Sequence, residues 1–332
     1  MGKMAQKVDL KQILQQVKER GYFSLDDYPG LTITVDQLKQ LSRMIRKAGI
    51  AFSEDVTNHE TDLKQGDAVQ IINSLRTGVP PSSVDVSVFS VGRGKLLQRF
   101  REDLEFVKND SPRARLMNAD WGAGKTHSLQ LLREHAFKLG FVVSIVTLSR
   151  TSCPIYDFMT VYHQIMWNLR TREERTKPAL EGVLDRWLQA IREIGPERAS
   201  NLIRRLPLDL VNALNAYHAS TSPVKHDEEK RLLVLKYLSG DRVPLWKLRR
   251  IGINCCIDSS SALSTLARMA SLFRNLQYKG ICILFDEAES AHSFATSARK
   301  DAAYKNIFQI IAQSTKTPFC YFLYATTPSF FD

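Results

Sequence analysis

The sequence predicts an α/β protein in which helices flank a parallel sheet, preceded by a small and mainly helical module. Three observations favour this class. Apolar, strand-like runs alternate with amphipathic helical segments over residues 68–332. A glycine-rich loop stands between a predicted strand and a predicted helix, and another strand-like run ends in two adjacent carboxylates. Such alternation is typical of parallel sheets with helices on both faces.

The composition is that of an ordinary globular protein. The chain has 332 residues, 44% of them hydrophobic, which suffices for one large domain and a smaller one. No apolar run reaches the roughly 18 residues of a membrane span, and the start lacks a signal-peptide pattern. We therefore expect a cytoplasmic protein with no membrane contact. The five cysteines form no C-x-x-C pair, which favours reduced, mostly buried thiols over a zinc site or disulfides.

Residues 1–58 are predicted to form a small interaction module. The run "VDLKQILQQVKER" has helical periodicity, and "TVDQLKQLSRMIRKAG" predicts a second helix with Thr34 as N-cap and Gly49 as its stop. Together with "AGIAF", these segments resemble the first region of primary bacterial sigma factors, which implies a winged-helix-like fold. A plain helical docking domain fits the same pattern. Residues 59–67 are polar and predict a linker to a core at 68–332.

The core alternates between strands and helices. The β-branched run "FVVSIVTLS" and the runs "RARLMNAD", "ICILFDE" and "PFCYFLYATTP" predict strands. Helical periodicity marks "VGRGKLLQRFREDLEFVKND", "THSLQLLREHAFKLG", "IYDFMTVYHQIMWNLR", "SALSTLARMASLFRNLQYKG" and "AAYKNIFQIIAQST". Residues 172–250 read as a basic helical insertion with breaks at Pro178, Pro196, Pro207, Pro223 and Pro244.

The stretch "NADWGAGKTHSLQLL" has the context that a nucleotide-binding P-loop requires, with a strand before it and a helix after it. Glycines at 122 and 124 let backbone N–H groups turn towards phosphates, at the positive end of the following helix. Lys125 would reach the β- and γ-phosphates, and Thr126 would hold Mg²⁺. Ala119 replaces the first glycine of the usual motif, and we expect it to be tolerated because that position needs a small residue more than a flexible one.

The loop as a whole is predicted to bind ATP. Trp121 could lie over the nucleotide or cover the loop from outside, and His127 suits packing or capping better than catalysis. The predicted nucleotide-binding residues are Ala119, Asp120, Trp121, Gly122, Ala123, Gly124, Lys125, Thr126 and His127.

The run "ICILFDE" supplies the second half of the predicted site. A buried strand that ends in two carboxylates is costly unless they work at its carboxyl edge, where such sheets bind ligands. Asp286 would bind Mg²⁺ through water, and Glu287 would polarise the attacking water. An acidic helix cap is the alternative for an isolated pair of acids. Together with the glycine loop, the pair predicts a P-loop NTPase.

The run "YFLYATTP" carries a third candidate element. Thr326 and Thr327 end a strand and could present a hydroxyl to the γ-phosphate; we assign Thr326 as catalytic together with Glu287 and Lys125. This placement is similar to that in AAA+ ATPases, which keep such a residue on the strand beside the acidic one. Alternatively, both threonines merely end the strand.

The charge favours a polyanionic partner. The net charge is +11 and the sequence pI is near 9.4, so DNA is the expected partner. The insertion could contact phosphates or present a solvated face, and Trp187 and Trp246 could stack on bases or pack in the core. The residues that make this region basic include Arg170, Arg172, Arg175, Lys177, Arg186, Arg192, Arg198, Arg204, Arg205, Lys247, Arg249 and Arg250.

Several strings together resemble one family. "AVQIINSLRTGVPP", "VGRGKLLQRFREDLEFV", the glycine-loop region and "LQYKGICILFDEAES" are similar to the ATP-binding domain of BREX-type bacteriophage-exclusion ATPases, a P-loop family related to AAA+ and origin-recognition ATPases. The likeness spans residues 68–332. It implies prokaryotic defence inside a multi-component complex. AAA+ relatives continue past the equivalent of Asp332 into a helical lid, so we expect the lid to be absent here and assign no arginine finger.

The sequence therefore predicts an Mg²⁺-dependent ATPase that acts as a switch or motor in a defence complex and engages DNA. Other defence proteins and a further copy of the chain are the expected partners. A nucleotide-dependent interaction module with little turnover is the alternative, and a DNA-binding regulator that uses the N-terminal module is another.

Overall fold

The computed structural model describes residues 93–175, 177–221, 226–294, 296–312 and 317–330. The chain divides into two compact units, Met1–Arg99 and Phe100–Asp332, and almost all described residues belong to the second. The predicted N-terminal module, with its winged-helix-like fold, and the predicted linker lie outside the described residues. The domain boundaries assigned to them stay predictions.

The described residues form a five-stranded sheet in the order β1-β5-β4-β2-β3. Pairs β1–β5, β5–β4 and β4–β2 are parallel, and β3 is antiparallel to β2. The strands are β1 Arg113–Asn118, β2 Val142–Thr147, β3 Leu169–Arg170, β4 Ile281–Asp286 and β5 Cys320–Thr326. The predicted mixed α/β class with a mainly parallel sheet is confirmed, and it is compatible with a P-loop fold.

The two central strands are apolar along almost their whole length. Every residue of β4 and of β5 is buried, because helices cover both faces of the sheet. In register, Ile283 lies beside Phe322 and Phe285 beside Tyr324, and the last two rings stack with centroids 4.6 Å apart. A run of apolar side chains thus leads to Asp286, the last residue of β4.

The described helices come before, between and after the strands. The first is α1 Gly94–Lys108, α2 Lys125–Lys138 follows β1, and α3 Phe158–Trp167 follows β2. The next five belong to the predicted insertion: α4 Leu180–Ile194, α5 Pro196–Ile203, α6 Leu208–Ser220, α7 Glu228–Ser239 and α8 Leu245–Arg249. The last two are α9 Ala262–Asn275 and α10 Ser297–Ala312, and short 3-10 helices lie at Ala288–Ser293 and Pro328–Phe330. None of these helices is long and apolar enough to cross a membrane.

Proline starts three helices of the insertion, at three of the positions where the sequence predicts a break. Pro196 is the first residue of α5, and Pro207 and Pro244 are the N-caps of α6 and α8. Proline suits these positions because the first N–H groups of a helix have no partner within the helix.

The insertion is fastened to the rest of the core through α3. The hydroxyl of Tyr162 donates to the carbonyl of Leu238 at 2.9 Å, and its ring is fully buried. Gly240 ends α7 in the left-handed conformation, with φ 77°, directly against this ring: a Cβ there would lie 2.8 Å from Cδ1 of Tyr162.

One predicted helix is too long. The run "IYDFMTVYHQIMWNLR" was expected to be helical throughout, but α3 ends at Trp167, and Leu169 and Arg170 form β3. These two residues pair with Ser144 and Val143. The prediction was wrong here because two residues are too few to show the period of a strand.

Candidate functional site

The glycine-rich loop joins β1 to α2 and turns through two left-handed glycines. Gly122 has φ 78°, and Gly124, the N-cap of α2, has φ 81° and ψ 36°. Residues with a Cβ rarely adopt this conformation. Ala119 has a negative φ, so its position does not require glycine. The backbone geometry therefore explains how the loop forms without the first glycine of the usual motif.

Backbone hydrogen bonds hold the loop against the end of the sheet. The N–H of Ala119 donates to the carbonyl of Thr326 at 3.1 Å, and the N–H of Ala123 donates to the carbonyl of Asp120 at 3.2 Å. The hydroxyl of Ser128, itself buried, donates to the carbonyl of Gly124 at 2.9 Å. The loop is thus shaped by its own backbone and fixed to β5.

Lys125, the first residue of α2, bends back over its own loop. Its Nζ donates to the carbonyl of Ala119 at 3.1 Å and to that of Asp120 at 3.4 Å. The ammonium also lies 5.4 Å from the ring centroid of Trp121, whose side chain is 75% exposed. The predicted phosphate-binding lysine is therefore at the loop, held by carbonyl oxygens. Asp120 is exposed, and His127 lies in the first turn of α2.

The two halves of the predicted site meet at the carboxyl edge of the sheet. The hydroxyl of Thr126 donates to Oδ2 of Asp286 at 2.7 Å, across a sequence separation of 160 residues. Asp286 is 5% exposed. A hydroxyl and a carboxylate oxygen side by side are the ligand types that Mg²⁺ prefers.

Glu287 follows in a backbone conformation that is unusual for its residue type. It has φ 60° and ψ 36°, and it caps the 3-10 helix Ala288–Ser293. Its N–H donates to Oδ1 of Asp286 at 3.0 Å. Burial raises the pKa of the Glu287 carboxyl above its ordinary value, and the nearby carboxylates of Glu289 and Asp286 raise it further. Residues held in a strained left-handed conformation are frequent at functional sites. A carboxyl group with a raised pKa is suited to act as a general base.

Glu289 belongs to the same cluster, although the sequence analysis did not select it. Its Oε1 lies 3.9 Å from Nζ of Lys125, and the two side chains are only 11% and 10% exposed. Within the described residues, neither of its carboxylate oxygens has a hydrogen-bond partner. The only sequence signal is that the acidic run continues as "DEAES", which does not distinguish a buried acid from a solvated one.

Thr326 ends β5 between the two halves of the site. It pairs in register with Asn118, the last residue of β1. Its side chain is fully buried, and towards the described part of the chain its hydroxyl makes one long contact, 3.4 Å, with the carbonyl of Thr327. The structure thus places Thr326 at the predicted edge, and a contact between its hydroxyl and a γ-phosphate stays a prediction.

The residues of this edge fit a nucleotide with a divalent cation. A Cβ built on Gly122 would meet no atom within 4 Å, so the loop has open space on that side. In the described part of the chain, no group of three or more His, Cys, Asp or Glu side chains could hold a metal ion. Thr126 and Asp286 are the side chains that would hold an Mg²⁺ ion here, with phosphate and water oxygens as its other ligands.

The structure gives contacts for several of the basic residues of the insertion. Some are neutralised: Arg175 pairs with buried Glu134 at 2.7 Å, and Arg186 pairs with Glu173 at 3.2 Å. Others surround Trp246, which is 56% exposed. Nζ of Lys247 lies 5.5 Å from the Trp246 ring and the guanidinium of Arg250 lies 5.1 Å from it. Trp187, by contrast, is buried in the core.

All five cysteines are free thiols, with Cys255 and Cys256 exposed and Cys153, Cys282 and Cys320 buried.

One comparison decides the family. The model of the family "BREX system ATP-binding protein BrxC/D" matches residues 63–202 and 196–332. The chain belongs to this family. No curated protein and no solved structure matches it.

The family match agrees with the site's geometry. It confirms the resemblance to BREX ATP-binding proteins and supports an ATP-binding role in phage defence for this BrxC/D-family chain. The likenesses to AAA+ ATPases and to sigma factors stay predictions.

Proposed function

We propose that this BrxC/D-family chain binds ATP with Mg²⁺ at the carboxyl edge of its sheet and hydrolyses it, as a switch or motor within a phage-defence complex. The observation that carries the proposal is the 2.7 Å hydrogen bond from Thr126 to Asp286. It joins the helix start after a glycine loop to the acid that ends a buried strand. A hydroxyl–carboxylate pair that only stabilised the fold would require neither the left-handed glycines nor a lysine beside it.

Each side chain of the edge has a role in this reaction. Lys125 would leave the carbonyls of its loop and bind phosphate oxygens, while loop N–H groups and the start of α2 hold the remaining charge. Thr126 and Asp286 would hold the cation, which neutralises charge on the phosphates when bound. Glu287 would accept a proton from the attacking water. Thr326 would orient the terminal phosphate. Such catalysis is mainly positioning and charge stabilisation.

The charge of the chain supports DNA as a further partner. The net charge is +11, and exposed Trp246 with Lys247 and Arg250 combines an aromatic face with cations, a pairing that suits nucleic acid. Defence proteins of the same system and a further copy of the chain are the other proposed partners. ATP state would then control assembly or loading on DNA.

Phosphate release tests the proposal. It is measured with and without double-stranded DNA for the unchanged chain, Lys125→Ala, Glu287→Gln and the exposed control Glu197→Gln. We expect Lys125→Ala to abolish ATP binding. Glu287→Gln should slow turnover by ~10²–10⁴-fold while ATP stays bound, and Glu197→Gln should behave as the unchanged chain. Turnover that survives in Lys125→Ala would show that the loop is not the site.

A nucleotide-dependent interaction module with little turnover is the second candidate. The observation that favours it is the bond of Lys125 to its own loop carbonyls, since a lysine held in this way is not in place for phosphate. Tight ATP binding without phosphate release, together with partner binding that depends on ATP and not on Glu287, would select this candidate.

A further inference from the structure

The carboxylate of Glu289 is buried without the donors that a buried carboxylate needs. Within the described residues, neither oxygen accepts a hydrogen bond, and the side chain is 11% exposed. Among the described residues, the cation within 4 Å of it is Nζ of Lys125, 3.9 Å from Oε1. A buried charge is costly unless it is paired. The ammonium of Lys125 therefore offsets the free-energy cost of burying the Glu289 carboxylate.

Lys125 in turn depends on acceptors that phosphate would replace. Its side chain is 10% exposed, and its ammonium is shared between Glu289 and the carbonyls of Ala119 and Asp120. Phosphate oxygens must therefore compete with a charged partner, in a setting where charges are poorly screened by water.

We propose that Glu289 is a positioning residue that acts through Lys125: it holds the lysine on its own loop and so sets the affinity of the site for polyphosphate. Glu289 makes phosphate binding weaker than the loop alone would allow. Binding leaves its carboxylate without a cation, beside the new negative charge. The inference rests on the proposed function, because it takes the loop to be a phosphate site.

A mutant cycle without ligand tests whether the two side chains are coupled. Thermal unfolding is compared for the unchanged chain, Lys125→Ala, Glu289→Gln and the double variant. Lys125→Ala alone should lower the Tm by ~4 °C or more, because it leaves a buried carboxylate unpaired. In the Glu289→Gln background the same lysine change should lower the Tm by less than half as much. An equal loss in both backgrounds would show that the residues do not act together.

Ligand binding tests the consequence. Calorimetric titrations use ATP and inorganic pyrophosphate in EDTA, so that neither hydrolysis nor a metal contributes. Glu289→Gln should bind both ligands ~10-fold more tightly than the unchanged chain, a gain of ~1.4 kcal/mol. Glu289→Asp, which keeps the charge on a shorter stem, should fall between the two. The exposed control Glu197→Gln should bind as the unchanged chain does.

The outcomes separate this inference from the function on which it rests. An unchanged chain that binds neither ATP nor pyrophosphate, in EDTA or with added Mg²⁺, overturns the proposed function and the inference with it. An unchanged chain that binds both, with Glu289→Gln equal or weaker, overturns the inference alone. Tighter binding together with a coupled Tm loss establishes Glu289 as the residue that restrains Lys125.

Discussion

Substitution of Gly122 should change ATP affinity much more than it changes the stability of the fold. Gly122 has φ 78°, and a Cβ there would meet no atom within 4 Å. Gly122→Ala should therefore cost only the left-handed strain of an alanine, ~1–2 kcal/mol. For a unit of this size that corresponds to a Tm lower by ~2–8 °C.

The methyl group should cost far more in ligand affinity. It would stand in the open space of the loop, where the backbone must approach phosphate closely. Loss of one charge-assisted hydrogen bond, ~1.5–3 kcal/mol, weakens ATP binding ~10–150-fold. Thermal unfolding followed by circular dichroism gives the stability, and calorimetric titration gives the ATP affinity.

Gly140 supplies the matched control. It has φ +83°, and a Cβ there would lie 3.5 Å from the Cγ of Lys279, an ordinary contact. Gly140→Ala should lose a similar amount of stability and keep its ATP affinity. If Gly122→Ala binds ATP as tightly as Gly140→Ala does, the open side of the loop is not where phosphate lies, and the reasoning is refuted.

Two further substitutions test the described geometry away from the loop. Gly240→Ala adds left-handed strain and places a Cβ 2.8 Å from the buried Tyr162 ring, so it should lower the free energy of unfolding by ~2–5 kcal/mol; urea titration measures this, and a loss below that of Gly140→Ala would contradict it. Cys255 donates through its Sγ to Asp209 at 2.8 Å, which raises the pKa of this exposed thiol to about 11. At pH 8 the thiol is therefore protonated, and Asp209→Asn should speed its alkylation by at least ~3-fold. Peptide mapping with Cys256 as internal reference measures the rate, and an unchanged rate would contradict the assignment.

The sequence carries enough signal to predict the site's two halves and where they meet. Strands β2 and β4 are dense in apolar residues, and the acids stand where β4 ends. Because parallel strands present their carboxyl ends at one edge, Thr126 and Asp286 are expected together before any contact is seen. In the structure a hydrogen bond joins the two side chains, and their roles towards a metal stay predictions.

Other features depend on tertiary contacts that leave no local pattern. Glu289 lies beside Lys125 in the 3-10 helix Ala288–Ser293, and a helix of six residues is too short to show a periodicity in the sequence. The left-handed φ of Glu287 is likewise set by its surroundings, since glutamate has no local preference for it. Strand order is decided by the crossovers between strands, which the composition of β5 does not reveal.

The position of β5 in the sheet also bears on how the protein is made. Arg113 of β1 pairs with Tyr321, and Ile281 of β4 pairs with Cys320, so the glycine-loop strand gains its described neighbour only after the whole insertion has been synthesised. Until then, β1 has no described neighbouring strand, and the apolar strand β4 has its β5-facing edge unpaired. Long-range parallel pairing is slow to form and prone to aggregation in the meantime. Yield in the cell should accordingly depend on chaperones that shelter these strands during translation.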